Sequence, residues 1–226
     1  MNEAVARHRV GAYPRGEDTR RRLVETAIEA FGTYGYDGTS TRMLAEQADV
    51  TLPSIQYYFG SKEGLYRAAI EHIVAAMDAR LTPVSARSRA VLANSKAARA
   101  ELHAALGDLL DALVSLVVSG STYKRFMGRA EIERGAALAP VHDAMRRLVL
   151  EPAIGLVARL TGHRVDHKPT ALRTLALVGQ VSAFCHVGPR AALGLADFDD
   201  DQIRTIQSLL RQHAKAVLDA AREAKS

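Results

Sequence analysis

The side chains that could do covalent chemistry are few and poorly spaced for it. The one cysteine, Cys185, precedes His186; neighbours in a helix point to different sides, so the thiol lacks its base. His163 and His167, with Asp166 between them, stand four apart as metal ligands on a helix would, but Gly162 and Pro169 bracket them in a loop. Gly60-Ser61-Lys62 lacks the spacing of a phosphate loop and reads as a turn followed by a helix cap. No carboxylate pair, glycine-rich fingerprint or nucleophilic triad is present. The sequence therefore implies no enzyme, no cofactor and no metal.

A different chemistry is concentrated between Thr39 and Lys62. Gln56 can pair with an adenine edge and Arg42 with a guanine, while Leu52, Pro53 and Ser54 offer two apolar tips and a hydroxyl to base edges. Thr41, Tyr57, Tyr58 and Lys62 are donors suited to phosphate oxygens, and Thr51 opens the same surface as a cap. Holding these groups on one side requires two short helices and a tight turn. Leu44 and Ala48 form one apolar stripe, Ile55 and Phe59 a second, and the break falls at Asp49-Val50. Ser40 or Thr41 can cap the first helix. The stripes can be buried only against each other and a third helix, expected over 18–34 on Leu23, Val24, Ala27, Ile28 and Phe31 and ended by Gly35. This is a helix-turn-helix, whose second helix enters a major groove.

Residues 39–65 resemble the DNA-binding signature of the TetR family of bacterial repressors. The matching residues are Ser40-Thr41-Arg42, Ala45, Tyr57-Tyr58-Phe59 and Ser61-Lys62-Glu63-Gly64-Leu65. Asp49, Pro53 and Gln56 depart from the usual pattern: Asp49 must tolerate a positive φ, and the other two alter the operator read. Residues 122–198 also resemble the regulatory domain of the CecR subgroup through Arg125-Phe126-Met127, Glu131, Gly179-Gln180 and Leu193-Gly194. The resemblance implies a double-stranded DNA operator, a small-molecule effector and a homodimer.

Composition sets the remaining bounds. The 226 residues are 48% hydrophobic, enough for a substantial core. A lone cysteine and no apolar run of about eighteen residues point to a cytoplasmic protein outside the membrane. The net charge of +5 suits a polyanion partner, yet residues 1–80 hold ten Lys and Arg against eleven acids, so bulk charge decides little. Residues 1–17 read as a flexible arm, and the arginines from Arg7 and Arg9 to Arg22 suit phosphates or a minor groove.

The expected chain is all-α with about nine helices: a DNA-binding domain at 18–65, a linking helix at 61–81 closed by Pro83, and a ligand-binding and dimerisation domain at 82–226. A connector is expected over 82–94, then helices over 95–119, 122–134, 138–160 with Pro152 marking a kink or a change of partner, 169–187 and 199–222. The last two carry surplus apolar stripes, Leu172, Leu175, Gly179 and Ser182 on one, Ile203, Ile206, Leu210, His213 and Val217 on the other, which suit a four-helix dimer interface. His103, Tyr123, Phe126, Met127, Glu131, His142, Gln180, Phe184 and His186 are the candidates for an effector pocket. Three function classes follow: a ligand-responsive repressor, a constitutive or architectural DNA-binding protein, and a helical small-molecule-binding protein.

Overall fold

The computed structural model describes residues 13–118, 121–185, 192–195 and 198–224, so Arg7, Arg9 and His186 lie outside the described residues. Every regular element among them is helical. They divide into two units, one running to Ile73 and including Arg125–Leu138, the other comprising Val74–Lys124 and the residues from Ala139 onward. No single helix among the described residues is long and apolar enough to cross a membrane.

In the first unit α1 spans Tyr13–Gly38, interrupted where Gly35 takes φ 78°. The break expected at Gly35 is there, but the helix begins at Tyr13, inside the stretch assigned to the arm. Within this added stretch Gly16 stands beside the Tyr58 hydroxyl, where an added Cβ would make an ordinary contact at 3.6 Å. α2 (Thr41–Gln47) and α3 (Leu52–Phe59) follow, and α4 runs from Lys62 to Ala93. Phe31, Tyr36, Tyr66 and Phe126 form a chain of ring contacts with centroids 5.0–5.7 Å apart. Phe126 belongs to α6 (Ser121–Arg134), whose later half is thus core for the DNA-binding unit.

α4 corrects the sequence reading most sharply. Pro83 does not close it, and the connector expected over 82–94 is helix. A helix-interior proline forfeits one backbone bond, here to the Ala79 carbonyl, which stands on an exposed residue where water can serve it. The buried face runs from Leu81 across the proline to Val84, Ser85 and Ser88, and that burial outweighs one lost bond.

In the second unit α5 (Arg99–Val118) is the central helix, burying Leu102, Leu106, Leu109, Leu110, Leu113 and Val114. α7 (Ala139–Met145), a π-helical turn (Arg146–Leu150) and α8 (Glu151–Thr161) form one unbroken run. Pro152, expected to mark a kink or a change of partner, is accommodated by that wider turn. α9 (Lys168–Gly179) stops earlier than expected and tightens into a 3-10 segment, Gln180–Cys185. α10 (Asp200–Glu223) opens with a reciprocal cap between Asp199 and Gln202.

α10 is tied to α5 by charge. Arg211 donates to Asp108 at 2.7 Å and Asp111 at 2.6 Å. Asp219 accepts from Arg99, Lys215 and His103, the last at 3.1 Å. Hydrogen bonds from Lys215 and Arg99 hold the Asp219 carboxyl well below the usual carboxylate range, whereas burial lowers the pKa of His103. A carboxylate whose folded pKa is depressed contributes stability that is present above its unfolded pKa and is lost as the pH falls toward the folded value. Unfolding midpoints of wild type should therefore fall more steeply below pH 3.8 than those of Asp219→Asn. Parallel curves would mean that this ion cluster contributes nothing.

Candidate nucleic-acid interface

The turn between α2 and α3 is built from local hydrogen bonds. The Ser40 hydroxyl accepts the Met43 amide at 3.1 Å and so caps α2. At the other end Asp49 takes φ 51°, the Asp49 amide donates to the Glu46 carbonyl and the Val50 amide to that of Ala45. This is a Schellman closure with aspartate in the place usually held by glycine. The positive φ expected of Asp49 is realised, and it turns the chain directly into α3.

α3 is anchored by Ile55, which is 2% exposed, and by Phe59, whose ring lies 5.5 Å from the Arg20 guanidinium. Thr51 precedes α3, but its hydroxyl meets Ser54 Oγ at 3.0 Å instead of accepting a backbone amide as expected. With Ile55 turned inward, Leu52, Pro53, Gln56 and Tyr57 face outward, Leu52 at 50% and Tyr57 at 80% exposure. Ser54 and Tyr58 are half-buried at the edges of this face. Two apolar tips, an amide and hydroxyls on one short helix form a surface that can make both groove and phosphate contacts.

The flanking residues are placed less simply. Arg42 pairs with Glu46 at 2.9 Å, with both side chains largely exposed. Such a pair contributes at most about 1 kcal/mol and is easily exchanged for a base edge. Thr41 is half-buried in the first turn of α2. Lys62 is not a free phosphate ligand: its ammonium donates to the Thr39 carbonyl at 2.7 Å and stands 4.2 Å from the centre of the Tyr36 ring. It ties the α1–α2 junction to the first turn of α4 and still has donors to offer a phosphate.

Sequence reasoning missed the residues behind this junction. The Thr39 hydroxyl is buried and donates to the Gly35 carbonyl at 2.7 Å. Glu133 accepts the Tyr36 amide at 2.9 Å, just past the break in α1. Arg134 donates to Glu63 at 2.8 Å and stands 4.1 Å from the Tyr36 ring centre. The signal available in the sequence was Gly35-Tyr36 at the end of an amphipathic helix; its partners lie about a hundred residues away.

The nine effector candidates fall on both units, since the boundary between the units divides α6 after Lys124, and His186 lies outside the described residues. Phe126, Met127 and Glu131 belong to the first unit, where Phe126 is core and Glu131 exposed. His103, Tyr123, His142, Gln180 and Phe184 belong to the second. His142 is exposed there, His103 is bonded to Asp219, and Phe184 packs edge-on to Phe198 at 6.1 Å. His103 also lines a 170 Å³ recess with Ala104, Leu106, Gly107, Arg211, Ala214 and Lys215.

Comparison with known proteins agrees with this geometry. The family model for bacterial regulatory proteins of the tetR family matches residues 23–69, and that for the C-terminal domain of the HTH-type transcriptional dual regulator CecR matches residues 99–221. The chain is 27% identical over 209 residues to the CecR regulator of Shigella flexneri, covering 90% of this chain and 93% of that one. The RutR regulator of Escherichia coli K12 is 34% identical over 65 residues, 29% of each chain. A TetR-like transcriptional regulator from Rhodococcus sp. RHA1 shares the fold, with a TM-score of 0.59 at 20% identity over 88% of this chain and 96% of that one. The chain belongs to the TetR family of transcriptional regulators, with a CecR-type C-terminal domain, and is a DNA-binding regulator and not an enzyme.

Proposed function

We propose that the protein acts as a homodimer on a palindromic operator and is released by a small apolar or amphipathic molecule. The observation that carries the DNA half of this reading is the outward face of α3, with Leu52, Pro53, Gln56 and Tyr57 exposed around the buried anchor Ile55. Gln56 takes an adenine edge, Arg42 a guanine, and Thr41, Thr51, Ser54, Tyr57, Tyr58 and Lys62 line the contact with the backbone and groove wall. Residues 18–65 form the reading domain and 82–226, apart from 125–138, the regulatory one, joined by α4. The dimer forms through α9 and α10. In the second unit Tyr123, Gln180 and Phe184 are the effector contacts kept in this reading; Phe126 is assigned to the core of the DNA-binding unit instead. The CecR relative is a dual regulator, which makes activation as well as repression part of the proposal.

The test begins with sequencing the genomic DNA that the protein retains, which defines the operator. Gln56→Ala should then cost about 1–3 kcal/mol on that site and relax preference at one position per half-site. Lys62→Ala should weaken all sequences alike and lower the salt slope by about one unit. An unchanged base preference in the first variant, or an altered one in the second, would reverse the two assignments. Release is tested by titrating the bound operator complex with apolar aromatic compounds, and a complex that none of them weakens would favour a constitutive DNA-binding protein.

A further inference from the structure

Arg147 is held twice by α4, once on each side of Pro83. Its guanidinium Nη2 lies 2.7 Å from Asp78 Oδ1, and its carbonyl accepts a hydrogen bond from Arg89 Nη2 at 2.6 Å. Between Asp78 and Arg89, Pro83 removes the donor that would reach the Ala79 carbonyl, which leaves a joint in an otherwise regular helix. The carbonyl that Arg89 serves owes its freedom to a second proline. In the π-helical turn the backbone bonds run five residues back, and the Glu151 amide donates to the Arg146 carbonyl. The next such bond would run from residue 152 to the Arg147 carbonyl, and Pro152 has no amide to make it. Arg89 supplies the donor that Pro152 lacks.

The neighbouring charges reinforce this arrangement. Arg89 also reaches Glu151 at 3.3 Å, and Arg146 pairs with Glu151 and with Asp143. One residue of the π-helical turn thus spans the proline joint of α4 by its side chain at one end and its main chain at the other.

We propose that Arg147 is a pin that braces α4 across Pro83, where the helix lacks one backbone bond, and that its release lets the two arms of the helix move separately. The use of this device rests on the regulator reading above. α4 runs from the regulatory residues to its own first turn, where Lys62 and Glu63 are bonded within the DNA-binding unit. A pinned α4 passes a displacement along as one rod, whereas an unpinned α4 absorbs it at Pro83.

The experiment is hydrogen exchange on the full chain without DNA or effector, following the amides of residues 80–87. Arg89→Ala with Arg147→Ala removes both arms of the pin, and exchange there should accelerate about tenfold while the amides of α5 keep their wild-type rates. Adding Pro83→Ala restores the missing donor within α4 and should bring the rates back to within about twofold of wild type. Unchanged rates, an equal acceleration in α5, or an acceleration that persists with Pro83→Ala would each overturn the proposal. Operator retention by wild type is scored separately, so failure of the regulator reading and failure of the pin are distinguishable.

Discussion

Gly64→Ala is expected to destabilise the protein by about 3 kcal/mol and to lower its unfolding midpoint by roughly 6–12 °C. A Cβ at residue 64 would approach the Phe59 carbonyl oxygen more closely than real Cβ atoms approach anything. The obstacle is backbone and cannot rotate away. Phe59 ends α3 and Gly64 lies in the first turn of α4, where its amide donates to the Ser61 hydroxyl at 3.0 Å. The two helix ends meet this closely because Gly60, at φ 72°, reverses the chain between them. Gly60→Ala provides the contrast: nothing lies within 4 Å of its Cβ, so only the left-handed backbone opposes it, at about 1–2 kcal/mol. Thermal unfolding checks the order of the two variants, and operator retention should fall more for Gly64→Ala because its strain reaches the end of the reading helix. A Gly64→Ala midpoint equal to that of wild type would show that α3 and α4 do not need this approach. The glycine of Ser61-Lys62-Glu63-Gly64-Leu65 is thereby explained by space and not by conformational freedom.

How much of the molecule is legible in the sequence follows the range of the forces involved. The helix-turn-helix was readable because its determinants are local: Leu44 and Ala48, the Asp49 turn, Ile55, the Ser61 cap. The all-helical class was readable for the same reason. Pro83 misled because the proline rule is also local, while the burial of Leu81, Val84 and Ser88 that carries α4 onward is tertiary. Lys62 is legible as a phosphate donor, but its bond to the Thr39 carbonyl is not, because no periodicity brings the two together. Phe126, read as an effector candidate, packs on Tyr66 at 5.3 Å, a choice that a stripe along α6 does not reveal. On α10 the error was one of phase. Both Ile206, Leu210, Ala214 and Leu209, His213, Val217 satisfy helical spacing, and the expected interface mixed the two. The first set is buried and the second exposed, so the free face of α10 is Leu209, His213 and Val217.

That corrected face yields the other large effect. Leu172 and Leu175 on α9 are 66% and 62% exposed, and Leu209 and Val217 on α10 are each 44% exposed, more apolar side chain than a lone helix pair usually leaves in water. In the proposed dimer these residues pack against their symmetry mates, so a single substitution enters the interface twice. Leu175→Asp would then bury two unpaired carboxylates in the interface, while in the isolated subunit it costs only the difference in helix propensity because the side chain is exposed. The expected protein is a folded monomer by sedimentation with an unchanged helical spectrum. Two half-sites about 34–36 Å apart are read together only by a dimer, so specific affinity should fall about 10³-fold. Salt-sensitive non-specific binding at low ionic strength should survive, since α3 and its donors are untouched. Ile206→Asp is the counterpart: Ile206 is 5% exposed, so this variant should lose stability before it loses its partner. A Leu175→Asp protein that stays dimeric and keeps its operator affinity would place the two-fold interface elsewhere on the molecule.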